Sequence, residues 1–477
     1  MLAACIVLYL LLTLAIGAWA ARRIHSTADF TLAGRSLPAG LVGVTIFATW
    51  YGPEFIMGVP GYFVQDGVMG IIADEFGTLL CLLLVAFFFA RRLYLMGIVT
   101  LSDFFRRRFG ARVELATSLI QVLAYFPWIA AQFVALAYLF GAILGTTVPE
   151  GIFLGAGIVV VYTYVGGMWA VTLTDLLQSV LIVTGLMIVA AGLLGETGGL
   201  APLLADRPPG FYDFVPERTV AGWSDYLALW MAFGLGAIPS QEIYQRLFSA
   251  RSATAGRNGV VLSAVLLFVV GGIPLVIGLA AAYLHPDLLA DGDGQDLIPA
   301  VVMRYAPLPV QVLFFGALIS AILSTSSGAM LSPATVIGEN LIRPRFRSVT
   351  DRQLLRWTRL SVVAVAVVAA GFALNDSHVH GLVVDSTVLL MVCLLAPLTL
   401  GLYWPGANTA GAWCAMVAGA VAWFLTDRAG TEVHPTIWGT GASFAALVAG
   451  SLAFRRSGGG GATLRAERNR PAHEPLP

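Results

Sequence analysis

The stretch FATWYGPEFIMGVPG, Phe47 to Gly61, restricts what this chain can fold into more than any other. It lies inside an apolar segment long enough to cross a bilayer, yet it holds Gly52, Pro53, Gly58, Pro60, Gly61 and the acid Glu54. Proline removes a backbone donor and clashes with the preceding turn, so an unbroken helix is not expected here. In hydrocarbon the freed carbonyls are costly unless protein, water or a bound ion satisfies them. A membrane helix interrupted at mid-depth is therefore a candidate binding site. A lone Pro more often marks a packing kink, but the cluster Trp50, Tyr51, Gly52, Pro53 and Glu54 is too polar for that alone. The site reading is favoured.

Composition supplies the class. Only 11% of the 477 residues are charged and 58% are hydrophobic, against about 25% charged in a soluble domain. With a mean hydropathy of +0.84, too few polar groups remain to cover a water-facing surface. The chain reads as an all-α polytopic membrane protein. Its apolar runs approach the roughly 20 residues a spanning helix needs, whereas barrel strands would alternate in short segments. Length and punctuation predict about thirteen spans, with breaks or turns between them. The first covers residues 2–20 and is kept as a span, because it ends in Arg22-Arg23 without a cleavage site. A net charge of zero gives no reason to expect a polyanionic partner, and no nucleic-acid motif occurs. Cys5, Cys81, Cys393 and Cys414 sit in apolar runs without metal-ligand spacing and read as small core residues.

Every basic side chain is Arg, and its placement sets an expected orientation, since basic loops stay cytoplasmic. One side collects Arg22, Arg23 and Arg35, then Arg91, Arg92, Arg106, Arg107, Arg108 and Arg112. The same side later holds Arg246, Arg251 and Arg257, then Arg343, Arg345, Arg347, Arg352 and Arg356, and the arginines of the tail. The opposite loops are sparse or acidic, with Asp66, Asp291, Asp293, Asp296 and Asp376. This predicts an outside N-terminus and a cytoplasmic C-terminus in an inner membrane. Residues 1–22 form the first span, 40–199 and 223–404 two halves, 408–455 two further helices, and 456–477 a disordered tail. No G-x-x-x-x-G-K-[ST] occurs, and no soluble domain is long enough for an ATPase.

If the halves are inverted repeats, the span opening the second half should also be interrupted. It carries Gly234, Gly236, Pro239, Ser240, Gln241 and Glu242. A third element is the run Ser320 to Gly328, in which Ala321, Ser324 and Thr325 share one helical face. Two hydroxyls, with carbonyls freed at Ala48 and Tyr51, make an oxygen cage suited to a small monovalent cation. Ser and Thr also back-bond to their own helix or join helices together, the competing reading.

These residues carry a resemblance. FTLAGRSLPAG (30–40), ATWYGPEFIMGVPG (48–61), TYVGGMWAVTLTDLLQ (163–178), QEIYQRLFSARSA (241–253) and SAILSTSSGAMLS (320–332) resemble the sodium:solute symporter family over about residues 2–455. The resemblance implies a LeuT-type fold of five-plus-five inverted repeats with additional terminal helices. It implies a sodium site at Ala48, Tyr51 and Ala321 through backbone and at Ser324 and Thr325 through hydroxyls. Within the family the chain is most similar to the high-affinity choline transporter branch, which surrounds a quaternary ammonium with aromatic faces. Trp50 and Trp128 stand at two of those positions, but Thr78 and Ser240 stand at the other two and are not aromatic. Glu54 and Glu242 would replace part of that cage by direct charge.

Other charges have two readings each. Asp74 and Glu75 line a pathway or cap a helix end. Asp175 is expected to hold the start of its helix against a loop, and Asp103 to cap a helix or join an inner ion pair. Gly166-Gly167 are expected to form a tight turn, the histidines to be solvated, and Tyr125 to be an interfacial anchor or core residue. The expected function is a sodium-coupled symporter importing a small organic solute, cationic or zwitterionic, by alternating access. Sodium is the coupling ion, with no other cofactor and no oligomeric state implied. Two alternatives stay open: a proton-coupled porter using Glu54, Glu242 or Asp74, and a membrane transceptor. An intramembrane enzyme is disfavoured, since no Ser–His or paired-Asp arrangement falls within the spans.

Overall fold

The computed structural model describes residues 2–454 apart from Ala21, Arg23, Asp206, residues 290–296, Arg347 and residues 376–378. The expected tail at 456–477 and the loop acids Asp291, Asp293, Asp296 and Asp376 lie outside the described residues. The described chain is helical throughout, with one isolated parallel bridge between Leu37 and Ala250.

In chain order the helices begin with α1 (Leu2–Ala20), α2 (Thr27–Leu32), α3 (Ala39–Trp50), α4 (Val59–Asp66), α5 (Thr78–Leu84) and α6 (Ala90–Leu95). They continue with α7 (Leu101–Phe109), α8 (Ala111–Leu144), α9 (Val148–Thr197), α10 (Leu200–Ala205), α11 (Val220–Gly234), α12 (Gln241–Phe248) and α13 (Ala253–Leu284). The last are α14 (Leu297–Tyr305), α15 (Leu308–Val336), α16 (Asp351–Ala373), α17 (Val379–Leu390), α18 (Ala396–Tyr403), α19 (Thr409–Ala429) and α20 (Pro435–Ala453). Among the described residues, nine helical stretches are long and apolar enough to cross a bilayer. The longest, α9, carries the break expected at Gly166-Gly167: Gly167 has φ 50 and ψ −163, outside helical space. A side chain there would also collide with the Phe30 ring, so glycine is required twice over.

Both expected interruptions occur. After α3, Tyr51 leaves the helix at φ −83 and ψ 68, and the chain resumes at Pro53 into a π-helical turn, Glu54–Gly58. Pro53 has no N–H for the carbonyl four residues back, so the ladder must fail here. After α11 the chain runs through turns over residues 235–239 and restarts as α12. Pro239 and two glycines within five residues explain why the helix does not continue.

The bundle closes around α15, which is buried at every position from Ala317 to Val336. A membrane helix without an apolar outer stripe lies inside protein. Its neighbours include α3, α8, α9 and α1. The polar face Ser320 to Ser327 is thus paired with protein and not with lipid. Asp103 caps α7 through a capping box with Thr100, and its other oxygen accepts from Asn340 Nδ2 at 2.8 Å. Two backbone bonds join the loop before α3 to the end of α12: Leu37 N to Ser249 O at 3.0 Å and Arg251 N to Leu37 O at 2.9 Å.

The α19–α20 pair packs beside the π-helical segment Met391–Leu395. Gly419 sits where a Cβ would lie 1.9 Å from the Val392 carbonyl oxygen, a backbone atom that cannot swing aside. Gly419→Ala is expected to destabilise by about 1–3 kcal/mol. The measurement is the melting temperature in detergent, with Gly441→Ala, whose Cβ meets nothing within 4 Å, leaving it unchanged.

Candidate functional site

The break after α3 faces the hydroxyl-bearing side of α15. Thr325 Oγ1 donates to the Ala48 carbonyl at 3.4 Å. Ala48, Tyr51, Ala321, Ser324 and Thr325, the five expected ion ligands, are all fully buried, and Thr325 and Ala48 meet directly. Ser324 differs from its neighbour: its Oγ donates to Asp175 Oδ1 at 2.5 Å. Thr45 Oγ1 hydrogen-bonds the other oxygen of the same carboxylate.

Two expectations need correction here. Asp175 does not hold a helix start against a loop. It is fully buried beyond the middle of α9, where α3 and α15 both present a hydroxyl to it. Arg246 was grouped with the loop arginines, yet it is 1% exposed. Its Nε donates to the Thr45 carbonyl at 3.2 Å and its Nη1 to the Glu242 carbonyl at 3.1 Å, joining α3 to α12. Gly328 makes room for that guanidinium, since a Cβ there would lie 2.4 Å from Nη2. Neither role carries a signal in the sequence beyond a charged residue next to an apolar run.

A separate cavity lies between the two breaks. All six expected solute residues line it: Trp50, Glu54, Thr78, Trp128, Ser240 and Glu242. Tyr125 joins them: of its two expected roles the core one holds, and from the core its hydroxyl faces the cavity. Glu242 Oε1 accepts from Trp50 Nε1 at 3.1 Å, and its other oxygen accepts from the Tyr125 hydroxyl. The Glu242 amide donates in turn to the Tyr125 oxygen at 3.1 Å. The carboxylate thus fixes two aromatic rings, one from each half of the chain's first four spans. Opposite it, Glu54 Oε2 closes no hydrogen bond, although Trp128 and Gln132 face the same carboxyl group. Phe55 and Phe233 complete the aromatic lining, and among the described residues no Arg, Lys or His contributes to it. The described lining is therefore aromatic and carries two carboxyl groups.

Asp74 and Glu75 do not line this cavity. They are buried in the π-helical segment Ile72–Gly77, with Glu75 set against Gly271 of α13. Two histidines, both partly exposed, also have protein partners: the His285 ring stacks on Tyr305 at 3.5 Å between centroids, and His434 Nδ1 caps α20.

Two broken spans, a hydroxyl–carbonyl contact beside one of them and a narrow aromatic recess between them suit an ion-coupled membrane transporter. The family profile of the sodium:solute symporter family matches residues 30–419, and the chain belongs to that family. It is a multi-pass membrane transporter, not an enzyme, and its transport is sodium-coupled. The high affinity choline transporter 1 of Homo sapiens is 28% identical over 440 residues, covering 87% of this chain and 74% of the relative. The osmoregulated proline transporter OpuE of Bacillus subtilis (strain 168) is 27% identical over 477 residues, covering 94% of each. Among solved structures, a Na+-coupled sialic acid symporter in its substrate-bound outward-open state aligns with a TM-score of 0.82. That alignment has 19% identity and covers 95% of this chain and 98% of the other. The fold is accordingly LeuT-type.

Glu242→Ala would leave the Trp50 and Tyr125 donors without their acceptor, at about 1–3 kcal/mol for each buried orphan. A lower melting temperature is expected for Glu242→Ala, with Glu242→Gln closer to the parent because the amide oxygen still accepts.

Proposed function

We propose that the chain imports a small organic cation, or a zwitterion whose cationic end enters first, together with sodium. The observation that carries this reading is the Thr325 hydroxyl 3.4 Å from the Ala48 carbonyl, at the break of the helix that also lends Trp50 to the solute cavity. In this reading sodium is held by the carbonyls of Ala48, Tyr51 and Ala321 and the hydroxyls of Ser324 and Thr325. Ser324 commits its proton to Asp175, which leaves its oxygen lone pairs for a cation, and Asp175 supplies compensating charge one bond further out. Thr325 turns its proton away from Ala48 when the ion arrives.

Trp50, Trp128 and Tyr125 then offer aromatic faces, each worth about 0.5–2 kcal/mol toward a cation. Glu54 and Glu242 add direct charge, and Thr78 and Ser240 leave space where further rings would stand. A solute carrying only a carboxylate would meet two acids and, among the described residues, no counter-cation in this lining. The arginine distribution supports thirteen crossings with the N-terminus outside and the C-terminus cytoplasmic, and inverted repeats at about 40–199 and 223–404. Each sodium entering down about 100 mV then contributes roughly 2.3 kcal/mol plus its concentration term.

The test is uptake into proteoliposomes, preceded by a thermal-shift screen of amines, betaines, amino acids and carboxylates with and without sodium. Uptake driven by inward sodium and abolished by potassium is expected. Ser324→Ala and Thr325→Ala should each raise the half-saturating sodium concentration about tenfold, the equivalent of about 1.4 kcal/mol. Uptake that persists undiminished in potassium and follows a pH gradient would instead establish the proton-coupled alternative.

A further inference from the structure

A second cavity lies on the far side of the break between α11 and α12. Residues of that break divide between the two: Ala237 and Ser240 line the solute cavity, while Leu235 and Ile238 line an apolar cleft of about 490 Å³. That volume lies within the roughly 300–1,000 Å³ of small-molecule sites. Leu84, Phe88, Leu395 and Phe444 form its other walls. Phe88 is 53% exposed at the perimeter of the bundle, whereas Ile238 and Leu395 are buried and form the floor. The cleft therefore opens sideways, toward the hydrocarbon of the bilayer. An apolar recess left empty forfeits the dispersion contacts of its lining, so an apolar chain is its natural occupant.

One rim is charged. Tyr403, on the edge of the cleft, donates its hydroxyl to the Phe88 carbonyl at 2.5 Å, and the Arg92 guanidinium lies 4.0 Å from the Tyr403 ring centroid. Arg91 and Arg92 are exposed, and among the described residues no carboxylate forms a salt bridge with either. Basic rims of pockets between membrane helices suit anionic lipid head groups. An apolar slot with a cation at its mouth and, among the described residues, no acid in its lining matches an amphiphile with one negative charge.

We propose that this cleft binds one acyl chain of an anionic glycerophospholipid, with the phosphate on Arg92 and the chain packed against Ile238. The bound chain supports the outer face of the same break whose inner face shapes the solute cavity. The site is independent of the reading of sodium and solute above. It stands or falls without a transport measurement.

The purified full-length chain in detergent is titrated with phosphatidylglycerol or with phosphatidylcholine of identical acyl chains. Melting temperature and retained lipid, by native mass spectrometry, are recorded. Phosphatidylglycerol is expected to raise the melting temperature by several degrees and to remain bound at one per chain, with phosphatidylcholine doing neither. Arg92→Gln, a change at an exposed side chain, should remove both effects, and Leu84→Trp, which fills the cleft, should do the same. Equal responses to the two lipids, or a full response in Arg92→Gln, would overturn the proposal. A response lost in Arg92→Gln but retained in a folded Leu84→Trp would also overturn it, because the lipid would then sit on the arginine without entering the cleft.

Discussion

Backbone that leaves the helix inside hydrocarbon must be satisfied by something other than water, and this requirement organises the bundle. Two spans break their own ladders, at Tyr51 and over residues 235–239. The helix set against the first break is the one with a run of hydroxyls, and Thr325 reaches the Ala48 carbonyl across the gap. That helix is buried on every side because lipid cannot serve its polar face. The outer helices α16, α19 and α20 present apolar side chains outward, and together with the other spans they enclose a core that is unusually rich in hydroxyls and acids.

The buried charges follow from the same geometry. Asp175, Glu242 and Glu54 are acids with little or no solvent contact, and Arg246 is the basic group placed among the first two. Arg246 spends its hydrogen bonds on carbonyls of Thr45 and Glu242, so it anchors α12 to α3 as well as adding charge. An uncompensated acid in such a setting favours either a proton or an arriving cation. The carboxyl groups and the aromatic faces of the lining therefore act in the same direction.

Much of this was legible before any coordinates. Pro53 and Pro239 announce both breaks, because the loss of an N–H is written in a residue type. The hydroxyl face of α15 is likewise visible, since Ser324 and Thr325 follow Ala321 at helical spacing. The six solute residues converge because the breaks bring them together, and the breaks were readable. Asp175 and Arg246 were misplaced for a shared physical reason. A buried charge is recognised by its partners on other helices, and spacing along one chain does not encode those partners. Arg246 also stands close to Arg251 and Arg257, so a one-dimensional reading groups it with solvated arginines. Tyr125 is a core residue as its apolar run implies, but its place in the cavity shows only once Glu242 is set against its hydroxyl.

The pair of backbone bonds between Leu37 and the end of α12 has a mechanical meaning. They fasten the approach to one interrupted span onto the exit from the other, near the arginine-rich end of the bundle. Arg246 fastens the same two segments a turn deeper. The half-helices are pinned together at their base, like two blades on a common rivet. Any motion that opens one of them alone has to shear those links first, so the cheaper displacement is one in which both swing together and the surrounding helices yield.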